Sequence, residues 1–394
     1  MTPTFSIVIP TRHRPQFVAR SLQLLEQQGI SDLEVIVADN WTDPELSCRE
    51  VCAHSTLGGL RYVHPEAPLG MVDNWDFGLG HATGEYVAAF TDKIFLRPGA
   101  LSRVHDAVVQ SGRPEIVSWV TDYFKPDSFS DYFGAGHYTM SVPDSVRAPG
   151  WLAYDPATAL GEKASARVAR SEQSPSLYCR GKIVFGFYHR SLLTRIADRF
   201  GRLFRDISPD YTSMVLALSE ARSAVELNGS EAISMVTDLS NGDLASTGDA
   251  HALGYLQQLS GDLAGFLQYM LVPGMYSSQA NMVSHDYLWA RRVFGLDFAF
   301  DPENWLVHCI EDLSRADRRW SSEVIQAQQM GLLYAFIEAQ SGESQAVIMQ
   351  RLENRGVLRA AGKLRSPAPQ LTWASSSLTD AARQRGTIVV NLAA

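Results

Sequence analysis

The chain predicts an α/β fold: a mostly parallel sheet flanked by helices, followed by a helical C-terminal domain. Three observations carry this. Short apolar runs at 5–10, 33–38 and 85–90 alternate with helical patterns over about the first 120 residues. The runs are continuously apolar rather than alternating, as strands covered on both faces are. Each ends in polar residues, namely Thr11-Arg-His-Arg14, Asp39-Asn40 and Thr91-Asp92-Lys93, at the edge where open α/β sheets bind ligands.

The elements follow in order. Strand 5–10 leads into a helix opening at Pro15, with Val18, Leu22 and Leu25 at i, i+4 and i+7 and Gly29 as its stop. Strand 33–38, a helix near 45–54 and strand 60–64 come next. A helix over 71–81 sets Val72, Trp75 and Leu79 on one side. Strand 85–90 precedes a helix opening at Pro98-Gly-Ala-Leu101, and strand 115–120 closes the series. Residues 122–177 are rich in Asp, Ser, Pro, Gly and aromatics and weakly periodic. They read as a long, partly ordered insertion, of the kind that is functional or mobile in compact domains.

A strand over 182–188, a helix over 190–200, a helix capped by Ser208-Pro-Asp210 and a return to the sheet at 227–236 complete the first domain, 1–237. Residues 238–249 are a loop by composition. Leu256, Leu259, Leu263, Phe266, Leu267 and Met270 then keep one apolar stripe. Further helices are expected near 287–294, 303–312, 321–339 and 345–354, giving a helical domain over 238–365. In the tail, 366–394, residues 387–392 form a lone strand that needs a partner on this chain or on a second copy, hence a homo-oligomer as one expectation.

The bulk properties narrow the function. At 394 residues with a net charge of −9, the chain lacks the basic surface that broad nucleic-acid binding needs. A local cluster of Arg, Lys and helix N-termini still suits an anionic small molecule. Cys48, Cys52, Cys179 and Cys309 form no C-x-x-C pair and no zinc spacing, which fits a reducing cytoplasm. The N-terminus passes straight into a strand without a secretory pattern. No apolar run approaches the roughly 20 residues that span a bilayer. The expected location is therefore cytoplasmic, with peripheral contact at the inner face of the membrane left open.

The motifs Ser6-Ile-Val-Ile-Pro-Thr11, Val35-Ile-Val-Ala-Asp-Asn40 with Thr42-Asp43, Asn74 and Gly78, and Gly84-Glu-Tyr-Val with Thr91-Asp92 and Pro98-Gly-Ala-Leu101 occur in this order. In order and spacing they resemble the family 2 glycosyltransferases of the nucleotide-diphosphosugar (GT-A) fold. The likeness covers about 120 residues and resumes at Phe185-Gly-Phe-Tyr-His-Arg-Ser-Leu-Leu193 and Ser208-Pro-Asp-Tyr211. It implies an inverting transfer of a sugar, from a nucleotide-diphosphate donor such as a UDP-sugar, to a hydroxyl of a glycan or glycolipid acceptor. The implied setting is bacterial surface polysaccharide or lipopolysaccharide synthesis, with 122–177 on the acceptor side.

Each candidate residue also has a physical reading. A carboxylate at a strand end, Asp39, can accept the imide N–H of uracil or a ribose hydroxyl, or merely cap a helix. The matching family residue binds the base. Trp41 beside it can stack on a base or pack in the core. Thr11 and Arg14, ahead of a helix N-terminus, can engage uracil or the diphosphate. Pro10 is a pocket wall, and Asn74 has amide donors within the same region.

At the third tip the family carries an Asp-x-Asp motif whose acids hold Mn²⁺ or Mg²⁺. Counting back from Pro98 puts Thr91, Asp92 and Lys93 on its three positions, so both outer acids are replaced. A hard cation wants several oxygen ligands. Either Lys93 neutralises the diphosphate directly, or Asp92 with a later ligand such as His251 holds a weak metal. Asp210, after Pro209 at a helix start, matches the family's acceptor-activating acid and is the expected general base; its plain alternative is an N-cap. Two other functions stand beside this one. A sugar nucleotidyltransferase would want a glycine-rich first loop, which Thr11-Arg-His-Arg-Pro15 lacks. A degenerate nucleotide-sugar-binding scaffold would explain the altered acids.

Overall fold

Strands β1 (Phe5–Thr11), β2 (Leu33–Asp39), β3 (Leu60–Val63) and β4 (Tyr86–Ala89) pair in parallel, with β1 between β2 and β4. β1, β2 and β4 are buried along their whole length, as their continuous apolar runs require. The computed structural model describes residues 3–168, 172–205, 207–238, 248–259, 263–314, 318–364 and 372–377, with 356–364 and 372–377 as backbone only. Helix α1 (Pro15–Glu26) carries Pro at its first position and buries Phe17, Val18, Leu22 and Leu25. The link from β2 to β3 is a 3₁₀ turn (Pro44–Leu46) and the short α2 (Arg49–Ala53). Helix α3 (Met71–Gly80) lies close on β1 and β2. A Cβ on Gly78 would meet Val8 Cγ1 at 2.6 Å and Ala38 Cβ at 2.9 Å, so only glycine permits this approach.

Beyond β4 come β5 (Ile94–Leu96), α4 (Ala100–Gln110) and β6 (Ile116–Ser128). The segment expected as a partly ordered insertion is built instead of hairpin strand β7 (Asp131–Thr139), β8 (Trp151–Tyr154), α5 (Pro156–Ala164) and α6 (Pro175–Cys179). Its Ser, Asp and Gly residues mask a hairpin with one exposed face. Phe124 and Tyr138 join Phe17, Phe95, Ile233 and Met235 in a satellite core, with Tyr132 and Phe133 against it.

The strand expected over 182–188 is a 3₁₀ turn (Ile183–Phe185) followed by β9 (Gly186–His189). β9 lies antiparallel between β4 and β6. Helices α7 (Arg190–Phe200) and α8 (Pro209–Glu220) lead to β10 (Ala224–Met235), which pairs in parallel with β6 and antiparallel with β5 and β8. The sheet order is β11-β7-β6-β9-β4-β1-β2-β3, where β11 (Thr372–Ser377) pairs antiparallel with β7 of the same chain. The strand expected at 387–392 lies outside the described residues.

A helix feeding a parallel strand runs back against it. The C-terminal end of α8 is fixed beside the start of β6: Arg195 donates to the Glu220 carbonyl (3.1 Å) and to Glu115 (2.7 Å). Its first turn, with Asp210, therefore lies toward the edge where β1, β2, β4 and β6 end.

The helical C-terminal region holds α9 (Asp249–Leu259), α10 (Leu263–Leu267), α11 (Gln279–Phe294), α12 (Pro302–Leu313), α13 (Glu323–Glu338) and α14 (Gly342–Leu364). Its Val283, Tyr287, Leu306 and Cys309 share one buried cluster with Met214, Leu216 and the sheet. Among the described residues no helix is long and apolar enough to cross a membrane.

Candidate active site

The register of β1 against β2 sets Thr11 opposite Asp39 at the strand ends. Asp39 is fully buried. Its Oδ2 accepts from the Cys48 backbone N–H (2.6 Å), the Tyr62 hydroxyl (3.1 Å) and Ser47 Oγ (3.3 Å). Its Oδ1 has no hydrogen-bond partner among the described residues. The Cys48 contact is why the helix expected over 45–54 breaks: the carboxylate claims the N–H just ahead of α2. Burial, and then the field of Asp39, push the Cys48 thiol well up.

The surroundings hold the site in shape. Trp41 stacks on His64 at 4.3 Å, and its Nε1 donates to the Tyr62 hydroxyl (3.0 Å). His64 Nδ1 donates to the Asp39 carbonyl (2.7 Å). His13 sits in the left-handed region (φ 59°), and its Nε2 accepts from Thr42 N–H (2.9 Å). That bond ties the turn after β1 to the segment after β2. Tyr62, Ser47, His13 and His64 were not expected from sequence; only His13, inside the Thr11–Arg14 turn, carried a positional signal.

Asp92 is brought to the same place. Thr11 Oγ1 donates to its Oδ2 (2.9 Å), and Arg14 Nη1 lies 3.2 Å from its Oδ1. Arg14 also starts α1, its carbonyl accepting from Val18 N–H (3.2 Å). Thr91 Oγ1, one residue before Asp92, is a further buried polar atom without a partner among the described residues. Lys93 is half-buried, and its carbonyl accepts from Met235 N–H (2.9 Å), linking this tip to the end of β10. Asn74 spends an amide donor on the Ala38 carbonyl (3.1 Å), and it is its Oδ1 that stays buried and unpartnered. Pro10 does not end the strand: β1 continues to Thr11, and Pro10 lies opposite Ala38 where pairing with β4 has already stopped.

Asp210 belongs to a second group at the same edge. Its Oδ2 lies 3.2 Å from the buried Lys182 Nζ. His251 is exposed in the first turn of α9. Asp92 is already engaged by a hydroxyl and a guanidinium. Among the described residues no three His, Cys, Asp or Glu side chains are gathered as a cation would need. The residues present do not fit the metal centre implied by the resemblance.

The fold and site define an α/β protein: a mixed sheet, parallel through β1 to β4, with buried polar atoms of Asp39, Asn74 and Thr91 unpartnered among the described residues at one edge. Residues 6–136 match the family model described as Glycosyl transferase family 2. Over 104 residues the chain is 27% identical to the GalNAc(5)-diNAcBac-PP-undecaprenol beta-1,3-glucosyltransferase of Campylobacter jejuni, covering 25% of this chain and 33% of that relative. The chain thus spans about a third of the length of this curated relative. A crystal structure of S. aureus TarS superposes with a TM-score of 0.47 at 15% identity, covering 87% of this chain and 50% of that one. A TarS 1-349 structure in complex with UDP-GlcNAc gives 0.46 at 14% identity, covering 88% and 84%.

Proposed function

We propose that this protein is an inverting glycosyltransferase. It moves a sugar from a UDP-sugar to a hydroxyl of a glycan or glycolipid acceptor in bacterial surface polysaccharide synthesis. The observation that carries the reading is Asp39: a buried carboxylate whose Oδ1 has no partner among the described residues, beside Thr11, within the stretch that matches the family. A buried acceptor without a donor costs about 1–3 kcal/mol, and the imide N–H of uracil would satisfy it.

The remaining roles follow from chemistry. Thr11 and Arg14 flank the nucleotide, Pro10 forms a wall, and the Asn74 carbonyl offers a further acceptor. Asp92 holds Arg14 in place. Arg14 and Lys93 then meet the diphosphate charge, and no step here runs through a metal. Asp210 takes the acceptor's hydroxyl proton. The acceptor oxygen bonds to the anomeric carbon, the bond from that carbon to the diphosphate oxygen breaks, and the nucleoside diphosphate leaves with the electron pair. The relative's name, with its PP-undecaprenol-borne glycan, supports a lipid-linked acceptor.

The test is a thermal-shift screen with UDP-, GDP-, CMP- and dTDP-sugars, in Mn²⁺ and in EDTA. A ligand at 100 times its Kd is expected to raise Tm by roughly 3–5 °C. UDP-sugars should do this in EDTA as well as in Mn²⁺. Preferential protection by CMP-sugars, whose base lacks the imide N–H, would overturn the Asp39 assignment. Protection without any turnover would favour the binding-scaffold reading, for which the engaged Asp92 is the supporting observation.

A further inference from the structure

The Asp210 carboxylate is gripped on one side. Lys182, only 1% exposed, holds its Oδ2 at 3.2 Å. The Lys182 ammonium lies between two ring faces, 4.0 Å from the Tyr178 centroid and 3.8 Å from that of Tyr211. Asp210 itself is 29% exposed, and its Oδ1 makes no hydrogen bond among the described residues. One oxygen is fixed from the protein side, and the side chain as a whole stays partly exposed.

The cage around Lys182 is itself anchored. Tyr178 sits on α6, and the buried Lys163 at the end of α5 donates to the carbonyls of Leu177 and Tyr178. Burial, and then the neighbouring charge of Lys182, hold the Lys163 pKa well below the usual lysine value. The Lys163 amine is held beside the cage by its contacts with these two carbonyls. Tyr211 follows Asp210 in α8, so the lysine reads the base and its neighbour together. A buried cation persists only where charge and ring faces replace its lost hydration.

We propose that Lys182 is a positioning residue for the acceptor-activating base: it pins Asp210 Oδ2 so that Oδ1 faces the acceptor hydroxyl. This rests on the general-base reading of Asp210. Lys182 keeps its own proton throughout; the hydroxyl proton passes to Asp210 Oδ1 and then to solvent.

The experiment measures UDP release from UDP-glucose and UDP-N-acetylglucosamine with water as acceptor, in the full chain. Lys182→Met keeps the apolar stem and removes the charge. It is expected to lower kcat about 10–100-fold through lost orientation, with donor KM unchanged. Lys182→Arg should recover part of the loss. Asp210→Asn should cost about 10²–10⁴-fold. Adding Lys182→Met to Asp210→Asn should then cost nothing more, because the lysine acts through the carboxylate. If Lys182→Met does not fold, as its melting curve will report, Tyr178→Leu removes one face of the cage. That variant should also lower kcat without moving donor KM.

Full kcat in Lys182→Met or in Tyr178→Leu, or an equal loss in the Asp210→Asn background, overturns the positioning role alone. An unmutated protein that turns over no donor overturns the transferase reading and this role together, so the unmutated rate tells the two failures apart.

Discussion

Asp39 commits one oxygen to structure and leaves the other open. Oδ2 holds Cys48, Tyr62 and Ser47, while Oδ1 is left without a partner among the described residues. Asp39→Asn should separate the two duties. The amide oxygen can keep the Cys48 N–H, and the amide NH₂ then faces the base in place of an acceptor. UDP binding measured by calorimetry is expected to weaken roughly 10–100-fold, the worth of one charge-assisted hydrogen bond. Unchanged affinity would remove Asp39 from the nucleotide site. At this scale the strand-end residues were legible, because an acid directly after an apolar run has few places to go. Lys182 was not: it stands at the head of the apolar run 183–188 and looks like the first residue of a strand. Only the fold shows that this run begins with a 3₁₀ turn and that the lysine turns inward beneath α8.

Among the elements, β1, β2 and α3 are fastened at the end opposite the site. Glu34, buried in β2, accepts from Ser6 Oγ (2.5 Å), Thr83 N–H (2.7 Å) and Arg61 Nη1 (3.0 Å). Ser6 Oγ in turn accepts from Gly84 N–H (2.7 Å). Burial alone would raise the Glu34 carboxyl, but these hydrogen bonds outweigh it and hold the pKa below the usual glutamate value. A carboxyl depressed in the folded state contributes stability that is complete above its unfolded value, about 4.3, and is lost as pH falls through the folded value.

Glu34→Gln should therefore destabilise the protein by about 1–3 kcal/mol at neutral pH. It should also flatten the decline in stability on the acid side of about pH 4.3. Urea unfolding at several pH values checks both; an unaltered acid slope would contradict the assignment. The alternation of β1 to β4 with α1, α3 and α4 was readable because each apolar run is short and punctuated. The hairpin β6–β7 and strand β8 were not, because their polar residues reflect an exposed face rather than a loop.

Across the whole molecule, the helical region reaches the segment just ahead of Asp210 directly. Asp286 in α11 accepts from Ile207 N–H (2.9 Å) and Ser208 N–H (3.3 Å), and the Tyr255 hydroxyl donates to the Ile207 carbonyl (2.7 Å). Two residues later the chain reaches Asp210. His285 is buried, and its Nδ1 lies 3.2 Å from Asp286. Asp286→Ala would leave two N–H groups unsatisfied. It is expected to cost about 1–3 kcal/mol in denaturant unfolding and to lower UDP release by loosening the approach to Asp210. Full stability and full turnover would show that the clamp is dispensable. None of this was visible in sequence, where the helical stripe 256–270 announced helices but not what they hold.

The insertion of β9 between β4 and β6 sets the order in which the sheet can be finished. Residues 5–128 contain both neighbours, yet these have no ladder with each other. A ribosome that has released only the stretch matching the family has therefore produced two half-sheets with a gap between them. The seam closes when Gly186–His189 emerges, some 70 residues after β6 begins to form. Until then the edges of β4 and β6 face solvent with their backbone groups open, and a fragment cut at the end of the family match would keep them so.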